Sequence, residues 1–262
     1  MSSSAELHAA AELQLAYKVA NAPLNPFPYP HFYIPDIFPP DFYDLLQASL
    51  PDPSAMKPIE EVRAVRGYKE RFVMPLGSPQ VAELPQEKRA FWTDFHGWLV
   101  SGRFGQLVAS RFADAINQRF NSAAVELYDE ALLIEDITNY KLGPHTDAPR
   151  KVMSFLFYLP RDESQRHLGT SIYVPKQPGF RCPGGPHYPH ELFERMWSMP
   201  FVPNSMFAFL KNDVSFHGVE PVQDADCRRW LMLYDIYVAQ QSRPAAPAAP
   251  APQTAPPVKF SF

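Results

Sequence analysis

Cysteine is almost absent from this chain. Only Cys182 and Cys227 occur among 262 residues, which excludes a disulfide framework as the scaffold. No apolar run approaches the ~18 residues that a membrane span requires, so no spanning segment is expected. A basic tract is also missing. Lys and Arg total 24 against 28 Asp and Glu, a formal net charge of −4. Such a balance offers no footprint for a phosphate backbone, and nucleic acid is not an expected partner. The opening MSSSAELHAAAELQLAYK lacks the basic start and apolar centre of a secretory signal. These absences together describe a soluble protein of a reducing, cytoplasmic setting.

What is present divides into three textures. Residues 1–122 read as mainly helical support. ELHAAAELQLAYKVA, PPDFYDLLQASL, QEKRAFWTDFHGWLV and FGQLVASRFADAINQRF carry apolar residues at helical spacing, and Asp41 after a proline pair is a helix-start signal. NPFPYPHFYIPDIFPP is too rich in proline for a helix and reads as extended. From 123 to 240 the runs become short, β-branched and aromatic: ALLIEDITNY, KVMSFLFYL, TSIYVP, MFAFLKN, VSFHGV and WLMLYDIYV. Many short strands in series indicate a sandwich or barrel. One long insert at about 176–200, rich in Arg, His, Tyr, Gly and Pro, interrupts them. Residues 241–262 alternate Ala and Pro with few bulky side chains, the composition of a disordered tail. The expectation is a single β-rich α+β domain over residues 1–240, followed by that tail.

Within the strand-rich part lies the triplet His145-Thr146-Asp147. His217 follows in DVSFHGVEPV, and Arg228 and Arg229 open the run WLMLYDIYV. A histidine two residues before an aspartate is weak evidence alone, since a chain of this composition yields about 0.4 such pairs by chance. The competing reading is a solvated loop. Position argues against it, because the triplet sits in a Gly-Pro turn between strand-like runs, and His217 and Arg228 lie in two more. Two imidazoles and one carboxylate can cap one face of a ferrous ion and leave the other face open. A cation eleven residues beyond the second histidine can hold the far carboxylate of a dicarboxylic acid.

The stretches NYKLGPHTDAPRKVMSFLFYLP, LGTSIYVP, FHGVEPV and RRWLMLYDIY, in that order from Tyr140 to Val238, resemble the iron(II)/2-oxoglutarate-dependent dioxygenase superfamily. The order and spacing are nearest its prolyl-hydroxylase-like and phytanoyl-CoA-hydroxylase-like branches. The resemblance implies a double-stranded β-helix, or jelly roll, with supporting N-terminal helices. It implies His145, Asp147 and His217 as ligands of Fe(II), 2-oxoglutarate as cosubstrate and ascorbate as a candidate reductant. It also implies a basic residue on the strand after the second histidine to hold 2-oxoglutarate. Aligning Leu231 with the leucine of the family's R-x-S-L pattern gives that role to Arg228, with Arg229 turned away by strand alternation; Trp230 departs from the small residue usual there. Tyr140 and Tyr158 match family tyrosines that bond the cosubstrate carboxylates, the alternative being two half-buried strand tyrosines.

The activity so implied is 2-oxoglutarate- and O2-dependent oxidation, foremost hydroxylation, of an unactivated C–H in a small-molecule, sugar or peptide substrate, with release of succinate and CO2. The carboxylate of Asp147 favours hydroxylation over halogenation. Two other classes compete. One is a cupin-like sugar isomerase or non-catalytic jelly-roll binding protein, which has no use for a 2-oxoglutarate clamp. The other is a zinc hydrolase, whose usual HExxH helix is missing. His187, His190 and Glu191 in the insert are a weak second metal candidate, because prolines break any helix that would align them. Arg181, Tyr188 and His190 read better as substrate contacts on a lid. Phe155, Phe157, Phe207 and Phe209 read as core, and oligomeric state is left open.

Overall fold

The longest strands carry the architecture. In the computed structural model, which describes residues 3–239 together with 258 and 259, eleven strands precede residue 240. They are β1 (His31–Ile34), β2 (Lys57–Pro58), β3 (Arg71–Pro75), β4 (Glu126–Ile137), β5 (Leu142–His145), β6 (Lys151–Tyr158), β7 (Thr170–Pro175), β8 (Phe193–Ser198), β9 (Ser205–Leu210), β10 (His217–Val219) and β11 (Arg228–Val238). The main sheet runs in the order β1-β9-β6-β11-β4-β3-β2, and a smaller sheet runs β5-β10-β7-β8. All pairings are antiparallel. From β4 to β11 the chain passes back and forth between the two sheets, so that first pairs with last, β4 with β11, and β5 with β10. That winding is a double-stranded β-helix, the jelly roll.

Because the main sheet is covered on both faces, its strands are apolar on both faces. Odd residues of β11 (Leu231, Leu233) look into the space between the sheets, while Met232, Tyr234 and Ile236 pack against helices. The sequence-level core residues divide in the same way. Phe155 and Phe157 face the helices, whereas Phe207 and Phe209 face the inter-sheet space.

Seven helices come from the N-terminal half: α1 (Ser4–Asn21), α2 (Pro40–Ser49), α3 (Ile59–Val62), α4 (Pro79–Ala82), α5 (Gln86–Leu99), α6 (Arg103–Arg111) and α7 (Ala113–Arg119). Ser3 and Glu6 form a capping box that starts α1. Helix α5 buries Phe91, Trp92, Phe95, Trp98 and Leu99 at helical spacing. Phe38 is the joint between helices and sheet: its ring stacks on Phe157 at 6.0 Å and meets Phe42, Phe95 and Trp98. Phe38→Ala is therefore expected to lower stability by about 3–5 kcal/mol, as for other fully buried aromatics. Chemical denaturation measures it, and a change under 1 kcal/mol would contradict this packing role.

The structure adds detail that the sequence pattern did not carry. Residues 1–122 add β1, β2 and β3, which widen the main sheet on both sides. FGQLVASRFADAINQRF is two helices, because Phe112 leaves helical geometry (φ −111°, ψ 16°) and its ring stacks on Phe32 at 5.6 Å. The insert at 176–200 contains a strand of the smaller sheet, β8, paired with β7. The expected tail lies outside the described residues except at Val258–Lys259, a two-residue strand paired with Leu127 and Glu126 of β4. Cys182 and Cys227 are both free and buried. No helix among the described residues is long and apolar enough to cross a membrane.

Candidate metal centre and anion pocket

Strands β5 and β10 place the two histidines. His217 is the direct cross-strand partner of His145, and their ring centroids lie 4.4 Å apart. Cross-strand pairs on one face approach this closely only when the backbones do. Gly218 permits that approach, since a Cβ there would fall 2.3 Å from the Leu142 carbonyl oxygen. Gly218→Ala should force β10 from β5 and weaken metal binding at least tenfold, a shift of about 1.4 kcal/mol. Metal titration of the folded variant reads this, and wild-type affinity would show that the pairing does not govern the site.

Asp147 completes the group. One ligand atom from each of His145, Asp147 and His217 lies within 4.8 Å of the others, and among the described residues this is the one such cluster of three metal-type donors. The second metal candidate, His187 with His190 and Glu191, forms no such cluster.

The hydrogen bonds prepare all three for a cation. Nδ1 of His145 donates to the Gly143 carbonyl at 3.0 Å, and Nδ1 of His217 donates to the Ser215 carbonyl at 3.0 Å. A carbonyl can only accept, so each Nε2 is left with its lone pair. Burial, reinforced by the neighbouring His217, pushes the His145 pKa down to about 3. Burial also lowers that of His217. For Asp147, burial alone would raise the pKa, but Lys151 and the two imidazoles hold it below the usual carboxylate range. Lys151 Nζ lies 3.3 Å from Asp147 Oδ1 and 3.1 Å from Asp235, and Ser154 donates to Asp147 Oδ2 at 3.0 Å. The site thus presents two neutral nitrogens and one oriented anion, a donor set that fits a divalent first-row metal.

Behind this group the inter-sheet space encloses a cavity of about 180 Å3 whose walls include His145, Asp147, His217, Arg71, Thr170 and Arg229. Its floor is cationic. Asp136 accepts two hydrogen bonds from Arg71 (2.7 and 2.9 Å) and one from Arg229 (2.7 Å). Two guanidiniums share one carboxylate, which leaves one positive charge in excess in a buried place. Arg229 is fully buried, donates through Nε to the Leu168 carbonyl at 2.7 Å and lies over the Phe201 ring. Its Nη2 has no partner, and neither do the buried Tyr140 hydroxyl and Thr170 Oγ1. Orphaned buried donors carry a cost of about 1–3 kcal/mol each unless a ligand accepts from them. This floor fits a carboxylate.

The inward arginine is therefore Arg229, and the expectation for Arg228 is corrected. The Arg228 side chain is 54% exposed and pairs with Glu135. Residue parity explains it: Arg229, Leu231, Leu233 and Asp235 line the cavity, so Arg228 stands with Trp230 on the opposite face. Trp230 accordingly does not narrow the pocket. Tyr140 lies beneath Arg71, whose guanidinium is 4.4 Å from the ring centre. Tyr158 is buried beside Phe201, and its hydroxyl accepts from the Thr170 amide at 3.2 Å. Sequence reasoning missed Arg71, Asp136, Lys151 and Ser154. Only the Lys151 spacing, four residues after Asp147, carried any signal.

The insert closes one side. Tyr188 N donates to the Pro144 carbonyl, and Thr146 Oγ1 donates to the Cys182 carbonyl. The His187 ring lies 4.6 Å from that of His145.

No protein-family model matches this sequence, and no curated protein matches it. Among solved structures, the chain is similar to the non-heme alpha-ketoglutarate-dependent carbocyclase SnoK from nogalamycin biosynthesis, with 12% identity, 80% of this chain and 79% of that chain covered, and a TM-score of 0.46. A Pseudomonas putida prolyl-4-hydroxylase shows 15% identity over 86% of this chain and 98% of that one, at a TM-score of 0.43. HygX from Streptomyces hygroscopicus, with nickel, 2-oxoglutarate and hygromycin B bound, shows 12% identity over 80% and 83%, also at 0.43. These likenesses are distant, and this chain's own side chains decide its chemistry.

Proposed function

We propose that this protein is an iron(II)- and 2-oxoglutarate-dependent oxygenase that oxidises, foremost by hydroxylation, a C–H bond of a small-molecule substrate. The observation that carries the reading is the adjacency of two features inside one cavity. His145, Asp147 and His217 line it as a donor group, and the same walls carry Arg71 and buried unpaired donors on Arg229 and Thr170. A bare metal site needs no such floor, and a simple anion site needs no such donors.

In this reading His145, Asp147 and His217 hold Fe(II), which when bound supplies the oxygen chemistry. Arg229 Nη2 and Thr170 Oγ1 would take the distal carboxylate of 2-oxoglutarate, with Arg71 adding charge. Lys151 and Ser154 fix Asp147. Leu132, Ile134, Leu156, Leu231 and Leu233 keep water from the reacting atoms. A cupin-like isomerase or a zinc hydrolase has no need of the cationic floor.

The test is anaerobic loading with Fe(II), then 2-oxoglutarate, then oxygen. One metal per chain, cosubstrate chelation seen as a visible charge-transfer band, and oxygen-dependent succinate are the expected results. Tight metal binding without 2-oxoglutarate binding would overturn the proposal.

A further inference from the structure

A second and larger cavity, about 600 Å3, opens beside the first. Arg66, Tyr68, Lys141, Gly143, His187 and His190 contribute to its wall, and no Asp or Glu does. The two cavities are neighbours by construction. Tyr68 lines both, and strand β5 gives Gly143 to one and His145 to the other. Tyr68 Oη and His187 Nε2 are hydrogen-bonded at 3.1 Å across the boundary.

The cations here have no ion-pair partner. Arg66 and Lys141 are exposed, and neither makes an ion pair among the described residues. His190 Nε2 is buried without a hydrogen-bond partner. Glu60, which holds the loop by accepting from the amides of Gly67 (2.7 Å) and Tyr68 (3.3 Å), does not line the cavity. Like charges converging on one concave surface focus a positive field, raising the local concentration of anions and steering them inward. A neutral sugar or an apolar ring would make no use of the two cations. A guanidinium fork is also matched to the oxygens of a carboxylate or phosphate.

We infer that this cavity receives the anionic end, phosphate or carboxylate, of the substrate, leaving the rest of that molecule to extend past Tyr68 to the metal centre. The inference rests on the oxygenase reading for what happens at the triad, but the anion site itself can be tested without it.

The probes are inorganic phosphate and acetate, titrated separately into the metal-free full chain while the ring resonances of His187 and His190 are followed by NMR. The expected result is a saturable shift of both rings, with the tighter anion identifying the class. Arg66→Glu/Lys141→Glu should weaken that binding at least tenfold, and Arg66→Ala/Lys141→Ala should weaken it less. Unshifted histidines with both anions, or undiminished affinity in the charge-reversed protein, would overturn the inference. Neither metal nor 2-oxoglutarate enters this assay. Anion binding without succinate formation would therefore count against the oxygenase reading alone, and succinate formation without anion binding against this inference alone.

Discussion

His145→Ala and His217→Ala should each abolish stoichiometric metal binding and lower turnover about a thousandfold or more, equivalent to about 4 kcal/mol in the barrier. The loss should not come from unfolding. Both imidazoles are neutral, and each donates only one hydrogen bond, to the carbonyl two residues before it; removing either leaves no stranded charge. Asp147→Ala is the harder case, because it deprives Lys151 of a partner at 3.3 Å. The other, Asp235 at 3.1 Å, remains, so this variant should fold with some loss of stability and also fail to hold metal. The measurement is metal content by mass spectrometry beside thermal unfolding. A folded His145→Ala protein that still binds one equivalent of Fe(II) and produces succinate would remove His145 from the centre.

Much of the site was legible in the sequence, and the part that was not has a physical cause. His145, Asp147 and His217 could be named because the HTD triplet and the second histidine match a known ligand pattern, and the structure brings the three together. The series of strands between 124 and 238 indicated a sandwich or barrel, and the family resemblance narrowed this to a jelly roll. Strand direction could not be read from β11. A strand buried on one face shows alternation, but β11 is covered by helices on one side and by the second sheet on the other, so RRWLMLYDIYV is nearly continuous in apolar residues. With no alternation to anchor it, the register slipped by one residue, and a one-residue slip turns every side chain to the opposite face. Lys151 and Ser154 were hidden for a related reason, since a polar residue in a buried strand shows its partner only after the fold brings Asp147 beside it. Arg71 lies in a five-residue strand 65 positions from Asp136, its partner. β8 was missed because FERMWS is the half-exposed edge of the smaller sheet, with mixed charge that reads as loop.

The two arginines give the sharpest consequence of that corrected register. Arg229→Ala should raise the dissociation constant for 2-oxoglutarate by roughly ten- to a hundred-fold, the effect of losing a charge-assisted bond of about 1.5–3 kcal/mol. It should also cost stability of about 1–3 kcal/mol, because the buried Leu168 carbonyl loses its donor. Arg71 keeps Asp136 paired at 2.7 Å in that variant, which should let it fold. Arg229→Lys restores the charge but not the fork, and should recover stability more than affinity. Arg228→Ala should leave 2-oxoglutarate affinity within twofold of wild type. Its partner Glu135 is buried, so about 1 kcal/mol of stability should be lost, discounted for the solvent that reaches Arg228. Calorimetric titration of 2-oxoglutarate into the metal-loaded variants, beside denaturant unfolding, separates the two quantities. If Arg228→Ala weakened the cosubstrate while Arg229→Ala did not, the carboxylate would have to reach the helix side of the main sheet. The orphaned donors on Arg229 and Thr170 would then need another ligand.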